Sequence, residues 1–278
     1  MTDEGWFAGR DPDDEGALAA AVREGRADAP ADWPARAVAA GFADDREAYY
    51  ERLHAATVRA TREDALERER AADQQLVHAV RAMDDCDRVA NELAERVAEW
   101  AGSLLDVDVA GVDGARTVAD HSPDTRAENR LVSLARRVEG LAGEADDLRT
   151  FVERRAPAVA PNLAAMAGPV LAARLISLAG GLEALAKQPS STVQVLGAED
   201  ALFAHLRGQG SSPKHGVIFT HEYVRGTAPD ERGSAARALA GKLTIAARVD
   251  HYSGELKPEL QAELDERIER IRSRGGES

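Results

Sequence analysis

Apolar or small side chains recur at Leu76, Ala79, Met83, Cys86, Ala90, Leu93, Val97 and Trp100, in steps alternating strictly between three and four residues. That spacing is the a/d seam of a packed helix and cannot be buried on one face of a strand. A second seam of the same kind runs through Leu131, Leu134, Val138, Leu141, Ala145, Leu148 and Val152. Between them, residues 101–126 hold Gly102, Gly111, Gly114 and Pro123 and read as a linker. Two seams of similar length joined by one linker predict an antiparallel coiled-coil hairpin. A seam of about 25 residues, rising 1.5 Å per residue, projects roughly 40 Å. Two ordinary amphipathic helices of a bundle share this periodicity, and spacing alone does not separate the two. Cys86 lies in the seam and reads as a small core residue rather than a nucleophile.

The remainder of the chain is also helix-prone. Ala is abundant, aromatics are only 4%, and 44% of the residues are hydrophobic, so the expected class is mainly α with closely packed helices. Residues 1–65 form a small N-terminal part in which Trp6, Phe7, Trp33 and Phe42 can make a core. Residues 66–155 are the hairpin, residues 156–257 a compact all-α domain, and residues 258–278 an acidic helix with a polar tail. The single cysteine excludes a disulfide framework within the chain and a Cys-based zinc site. The opening "MTDEGWFAGRDPDDEG" lacks an apolar core, so no secretory signal is expected and the location is read as cytoplasmic. The stretch 156–173 approaches membrane-span length, but its three prolines, Asn162 and many alanines suit a buried, punctuated helix better.

Charge is unevenly spread. The chain carries −14 in total, with −16 in residues 1–153, +4 in residues 154–257 and −2 in residues 258–278. All four lysines lie in the non-acidic block. Many acids, little Lys and much Arg suit a cytosol of high salt. A region that escapes acidification under that pressure points to an anionic partner, the alternative being compositional drift. The stretch "GQGSSPKHGVIFTH" (208–221) holds no acid at all.

Residues 187–248 collect the groups that RNA recognition uses. Lys187, Lys214, Arg225, Arg232, Arg237 and Lys242 can meet phosphates, which position a protein without reading sequence. Gln194 and the hydroxyls of "QPSSTVQ" add polar contacts, while His215 and His221 can stack on unpaired bases. The spacing of His205, His215 and His221 matches no zinc pattern, so no metal or other cofactor is expected. Glycine-rich phosphate loops, nucleophile elbows and paired catalytic carboxylates do not stand out, and the chain reads as non-enzymatic.

The run "NLAAMAGPVLAARLISLAGGLEALAKQPSSTVQVLGAEDALFAHLRGQGSSPKHGVIFTH", followed by "ERGSAARALAGKLTIAARVDHYSGE", resembles the Nop domain of the archaeal scaffold family of box C/D guide ribonucleoproteins. "HAVRAMDD" (78–85) is similar to the family's Gln-Ala-Val-Arg-Ala-Leu-Asp-Asp, and the resemblance covers about residues 72–273. It implies a scaffold that binds box C/D guide RNA, the methyltransferase fibrillarin and a small kink-turn-binding protein, and that self-associates through its coiled coil, for which Leu131, Leu134, Val138, Leu141 and Leu148 are the expected pairing positions. The assembly so implied carries out 2′-O-methylation of ribosomal RNA, with S-adenosylmethionine bound by fibrillarin. By the same resemblance, Gly197, Ala198, Glu199 and Asp200 stand at the surface for the small protein, with Asp200 in place of the family's lysine. Lys214 and His215 match the family's Pro-Lys-His-Gly loop, and His221 its second histidine. Arg225 and Arg232 keep basic positions. Fibrillarin binding falls to residues 1–65, which share no matched motif with the family. A protein-binding coiled-coil adaptor without RNA contact is the alternative.

Overall fold

The structure, a computed structural model, describes residues 5–27 and 29–275. The first four residues and the end of the polar tail, 276–278, lie outside the described residues. The described elements are helices and connecting turns, in two units that divide after Ala71.

The N-terminal unit holds α1 (Glu15–Glu24), α2 (Trp33–Ala39) and α3 (Arg46–Glu69). Its Asp clusters start these helices. The carboxylates of Asp14, Asp32 and Asp45 accept from the amides of Ala17, Ala35 and Ala48 and so satisfy donors that a helix start leaves free. Phe7, Leu18, Phe42 and Tyr49 are buried together, with Trp6 and Trp33 packed on them.

The second unit opens with α4 (Ala72–Leu105), α5 (Gly111–Ala119) and α6 (Arg126–Val159). Helices α4 and α6 pair lengthwise as the hairpin. A close relative of the capping box starts α6: the Glu128 amide donates to the N-cap Thr125 Oγ1 at 3.2 Å, and Glu128 Oε2 accepts from the amide of Asp124, one residue before the cap, at 2.7 Å. Two details depart from the seam reading. The segment 101–126 is more than a linker, because α5 buries Ala115, Val118 and Ala119 between the two long helices. The buried stripe on α6 runs Leu131, Val132, Ala135, Val138, Ala142, Ala145 and Val152, while Leu134, Leu141 and Leu148 are only partly covered. Leu131, Val138, Ala145 and Val152 of the seam stay buried at seven-residue spacing, while Val132, Ala135 and Ala142, each one residue beyond a seam leucine, complete the stripe, so the buried face is turned by about one position. The small alanines there let the helices approach closely. Leu131 and Val138 are fully buried inside one hairpin, so their burial needs no second copy. Cys86 is half-buried and Trp100 is exposed.

The rest of the unit is built from α7 (Pro161–Ala167), α8 (Pro169–Ala179), α9 (Leu182–Lys187), α10 (Ser190–Val195), α11 (Glu199–Leu206), a 3₁₀ turn at Val217–Thr220, α12 (Glu222–Arg225), α13 (Arg232–Tyr252) and α14 (Glu259–Gly275). The apolar stretch near 160 is α7 and α8, bent by 119° at Gly168, and among the described residues no single helix is long and apolar enough to cross a membrane. A buried carboxylate starts α7: Asp250 accepts from the Asn162 amide (2.9 Å), Asn162 Nδ2 (2.7 Å) and the Leu163 amide (2.9 Å). Asn162 Nδ2 also donates to the Glu255 carbonyl, and its Oδ1 accepts from the Lys257 amide at 2.7 Å, which fixes the connection into α14. The acidic final helix is part of the core, with Leu260, Leu264, Ile268 and Ile271 buried in the same cluster as α13.

Candidate nucleic-acid interface

The loop that carries Lys214 and His215 is held by backbone contacts. The Gly216 amide donates to the Gln194 carbonyl at 2.9 Å, and the Val217 amide to the Leu196 carbonyl at 2.7 Å. Gln194 Nε2 donates to the Lys214 carbonyl at 2.7 Å. The approach is so close that a Cβ on residue 216 would lie 1.9 Å from the Leu196 oxygen. Only glycine fits there. Lys214 is thereby presented outward, with its methylene stem beside Gly233 at the start of α13.

The 3₁₀ turn buries Ile218 and leaves Phe219 half-exposed as a platform. The His215 ring stacks on it at 4.5 Å between centroids and 21° between planes. The Arg232 guanidinium lies 5.6 Å from the same ring, in cation–π range. Arg232 Nε donates to the Thr227 carbonyl at 3.1 Å, which fixes the head of that side chain. Burial lowers the His215 pKa, and the charges of Arg232 and Lys214 act in the same direction. At neutral pH the imidazole is therefore uncharged, with one donor and one acceptor nitrogen. The N-cap residue of α13, Glu231, makes no side-chain cap hydrogen bond, so the free amides of the first turn stay available beside this cluster.

The other expected RNA contacts divide. Among the described residues, Lys214, Arg225, Arg232 and Arg237 have no carboxylate within ion-pairing distance, and Lys214, Arg225 and Arg237 are exposed. Lys187 is paired with Glu183, one helical turn earlier. Lys242 is paired with Glu263 of α14, with its side chain only 18% exposed. Those two side chains are engaged on the helix surface and in the α13–α14 contact. Gln194 holds the loop from behind. His221 is a structural tie: its Nδ1 accepts from the Tyr223 amide at 3.1 Å, which leaves Nε2 to donate to the Met166 carbonyl at 3.0 Å. Both nitrogens are used, and burial lowers its pKa. His205 is exposed and bonds the Gly210 carbonyl through Nδ1 at 2.9 Å.

Gly197, at φ +79°, turns the chain into α11, and its amide donates to Glu199 Oε1 at 2.8 Å. Glu199 and Asp200 are exposed, and Ala198 is half-buried. No residue of α11 is buried, and Phe203 (55%) and Leu206 (71%) stand in solvent. Sequence reasoning missed Phe219 and this apolar pair. Both carried a signal: an aromatic four residues beyond His215, and bulky apolar side chains beside a polar glycine-rich loop.

The Nop family, described as "snoRNA binding domain, fibrillarin", matches residues 74–270, a span that contains the hairpin and every residue of the cluster. The chain belongs to the Nop family. An uncharacterised NOP5 family protein of Methanocaldococcus jannaschii is 32% identical, over 84% of this chain and 65% of its own length. Nucleolar protein 56 of Saccharomyces cerevisiae is 31% identical, over 71% of this chain and 47% of that protein. This Nop chain therefore spans about two thirds of the first relative and about half of the second. Among solved structures, a chain from a fibrillarin/Nop5p complex matches with a TM-score of 0.53 and 25% identity, covering 96% of this chain and 98% of that one.

Proposed function

We propose that this Nop-family chain is a non-catalytic, RNA-binding scaffold of a box C/D guide ribonucleoprotein. In this reading Lys214, His215, Arg225 and Arg232 meet the RNA, with Arg237 at the margin of the surface. The segment from Gly197 to Asp200, with α11, faces the small kink-turn-binding protein. The chain joins that assembly to fibrillarin for 2′-O-methylation of ribosomal RNA in the cytoplasm and pairs with a second copy along the hairpin. The observation that carries the reading is the cluster itself: cations without acid partners, set round a His–Phe stack at the start of α13. In a chain of net charge −14, cations left unpaired by its many acids are available to phosphates. The name of the fibrillarin/Nop5p structure supports the fibrillarin assignment by kinship.

Fluorescence anisotropy of a kink-turn RNA carrying its small binding protein, titrated with the full chain at several salt concentrations, tests the reading. Lys214→Ala is expected to weaken the complex and to flatten the log–log salt dependence by roughly 0.7 to 0.9, one phosphate contact. An unchanged affinity and slope would leave the protein-only adaptor standing.

A further inference from the structure

We propose that Arg272, on the C-terminal helix, is a positioning residue for the RNA-facing cluster, a role that rests on the RNA-binding reading above. Arg272 lies on α14 and its guanidinium reaches back to the turn after α12. Nη2 donates to the Glu222 carbonyl at 3.0 Å and Nε to Thr227 Oγ1 at 3.3 Å, while the guanidinium lies 5.9 Å from the Tyr223 ring. The turn is tight under it: a Cβ on Gly226 would come within 2.8 Å of the Glu222 oxygen and 3.2 Å of Arg272 Nη2. Thr227 is buried and is shared by two arginines. Its hydroxyl, which donates to the Tyr223 carbonyl at 2.7 Å, accepts from Arg272, and its carbonyl accepts from Arg232. Arg232 in turn covers Phe219, on which His215 stacks. An unbroken set of contacts thus runs from α14 to the cluster, and Arg272 itself pairs with no carboxylate in it.

A second contact fastens the same helix to the same turn. Tyr223 donates its hydroxyl to Asp265 and accepts from Gln261 Nε2 at 2.8 Å, and burial with the Asp265 bond pushes the phenol pKa up to about 12. The phenol stays protonated and keeps donating across the usable pH range. The C-terminal helix, which sequence alone marks only as acidic, therefore anchors the backbone from which Arg225 and Arg232 project.

The test uses the full chain as wild type, Arg272→Ala, Arg272→Lys, Thr227→Val and the Arg272→Ala/Thr227→Val double variant. Affinity for the kink-turn RNA with its small protein is expected to fall roughly five- to thirtyfold in Arg272→Ala, which lies inside the range of coupling between contacting residues. The salt slope should stay at the wild-type value, because Arg272 meets no phosphate. Arg272→Lys, which keeps the charge but not the two-pronged geometry, should not restore binding. The double variant should bind no worse than the weaker single variant. Full recovery with lysine, a slope that falls with affinity, or additive losses overturns the assignment. In the free protein, the His215 ring resonance should lose the Phe219 ring-current shift in Arg272→Ala; an unmoved resonance also overturns it. That free-protein signal separates the two ideas, since wild-type chain that ignores the RNA sinks the RNA reading alone.

Discussion

Replacing Gly216 by alanine tests how the cluster is built. The new Cβ would lie 1.9 Å from the Leu196 oxygen, whereas an unstrained carbon–oxygen contact needs about 3.3 Å. The two backbone segments must separate by more than an ångström. The bonds from the Gly216 and Val217 amides, now 2.9 and 2.7 Å, cannot survive that shift, and Gln194 loses its hold on the Lys214 carbonyl. Two backbone bonds and one side-chain bond, at about 0.5 to 1.5 kcal/mol each, amount to a loss of about 2 to 4 kcal/mol. The cost is local, because the loop's only buried anchor nearby, Ile218, stays in the core. Hydrogen exchange should therefore show the Val217 amide losing some thirtyfold or more of its protection, for about 2 kcal/mol, while core amides of α13 keep theirs. RNA affinity should fall with it, as Lys214 and His215 lose their fixed spacing. A Gly216→Ala protein with unchanged Val217 protection would refute the close-approach argument, and with it the claim that the loop is pre-formed.

Other outcomes follow from the same geometry. His221 is held neutral in the fold, so its folded pKa lies below the unfolded value near 6.5 and the unfolded chain binds more protons. Stability should then fall as pH drops through and below about 6.5, and His221→Gln should weaken that slope in urea titrations compared at several pH values. His215, shifted the same way, contributes to the remainder. Asp250→Ala leaves three donors at the start of α7 without their acceptor and should cost about 2 to 5 kcal/mol, read as a lower denaturation midpoint at unchanged m-value. Leu131→Asp buries an unpaired carboxylate and should cost helix content by circular dichroism. Leu134→Asp, at a partly covered position, should keep helix content and lower the sedimentation coefficient if the hairpin pairs two copies.

Periodicity alone determined that two long segments are helical, because a 3–4 spacing can be buried only on a helix face, while their lengthwise pairing came from the tertiary structure. Residue types alone raised the expectation of an anionic partner around Lys214, since charge is a local property of the chain. The tertiary structure decided the rest. It turned the buried stripe of α6 by about one position, covering Ala135 and Ala142 where the seam has Leu134 and Leu141, with α5 packed against the same helix. It separated six equivalent-looking cations into two paired with glutamates on neighbouring turns or helices and four left without acids, a sorting that depends on which elements meet. It took His221 out of the surface and gave it to the Met166 carbonyl, and it brought Phe219 under His215. It also turned the acidic C-terminal helix into a core element whose Arg272 reaches the turn behind the cluster. Contacts between residues as far apart as Glu222 and Arg272 arise from packing, which no local pattern encodes.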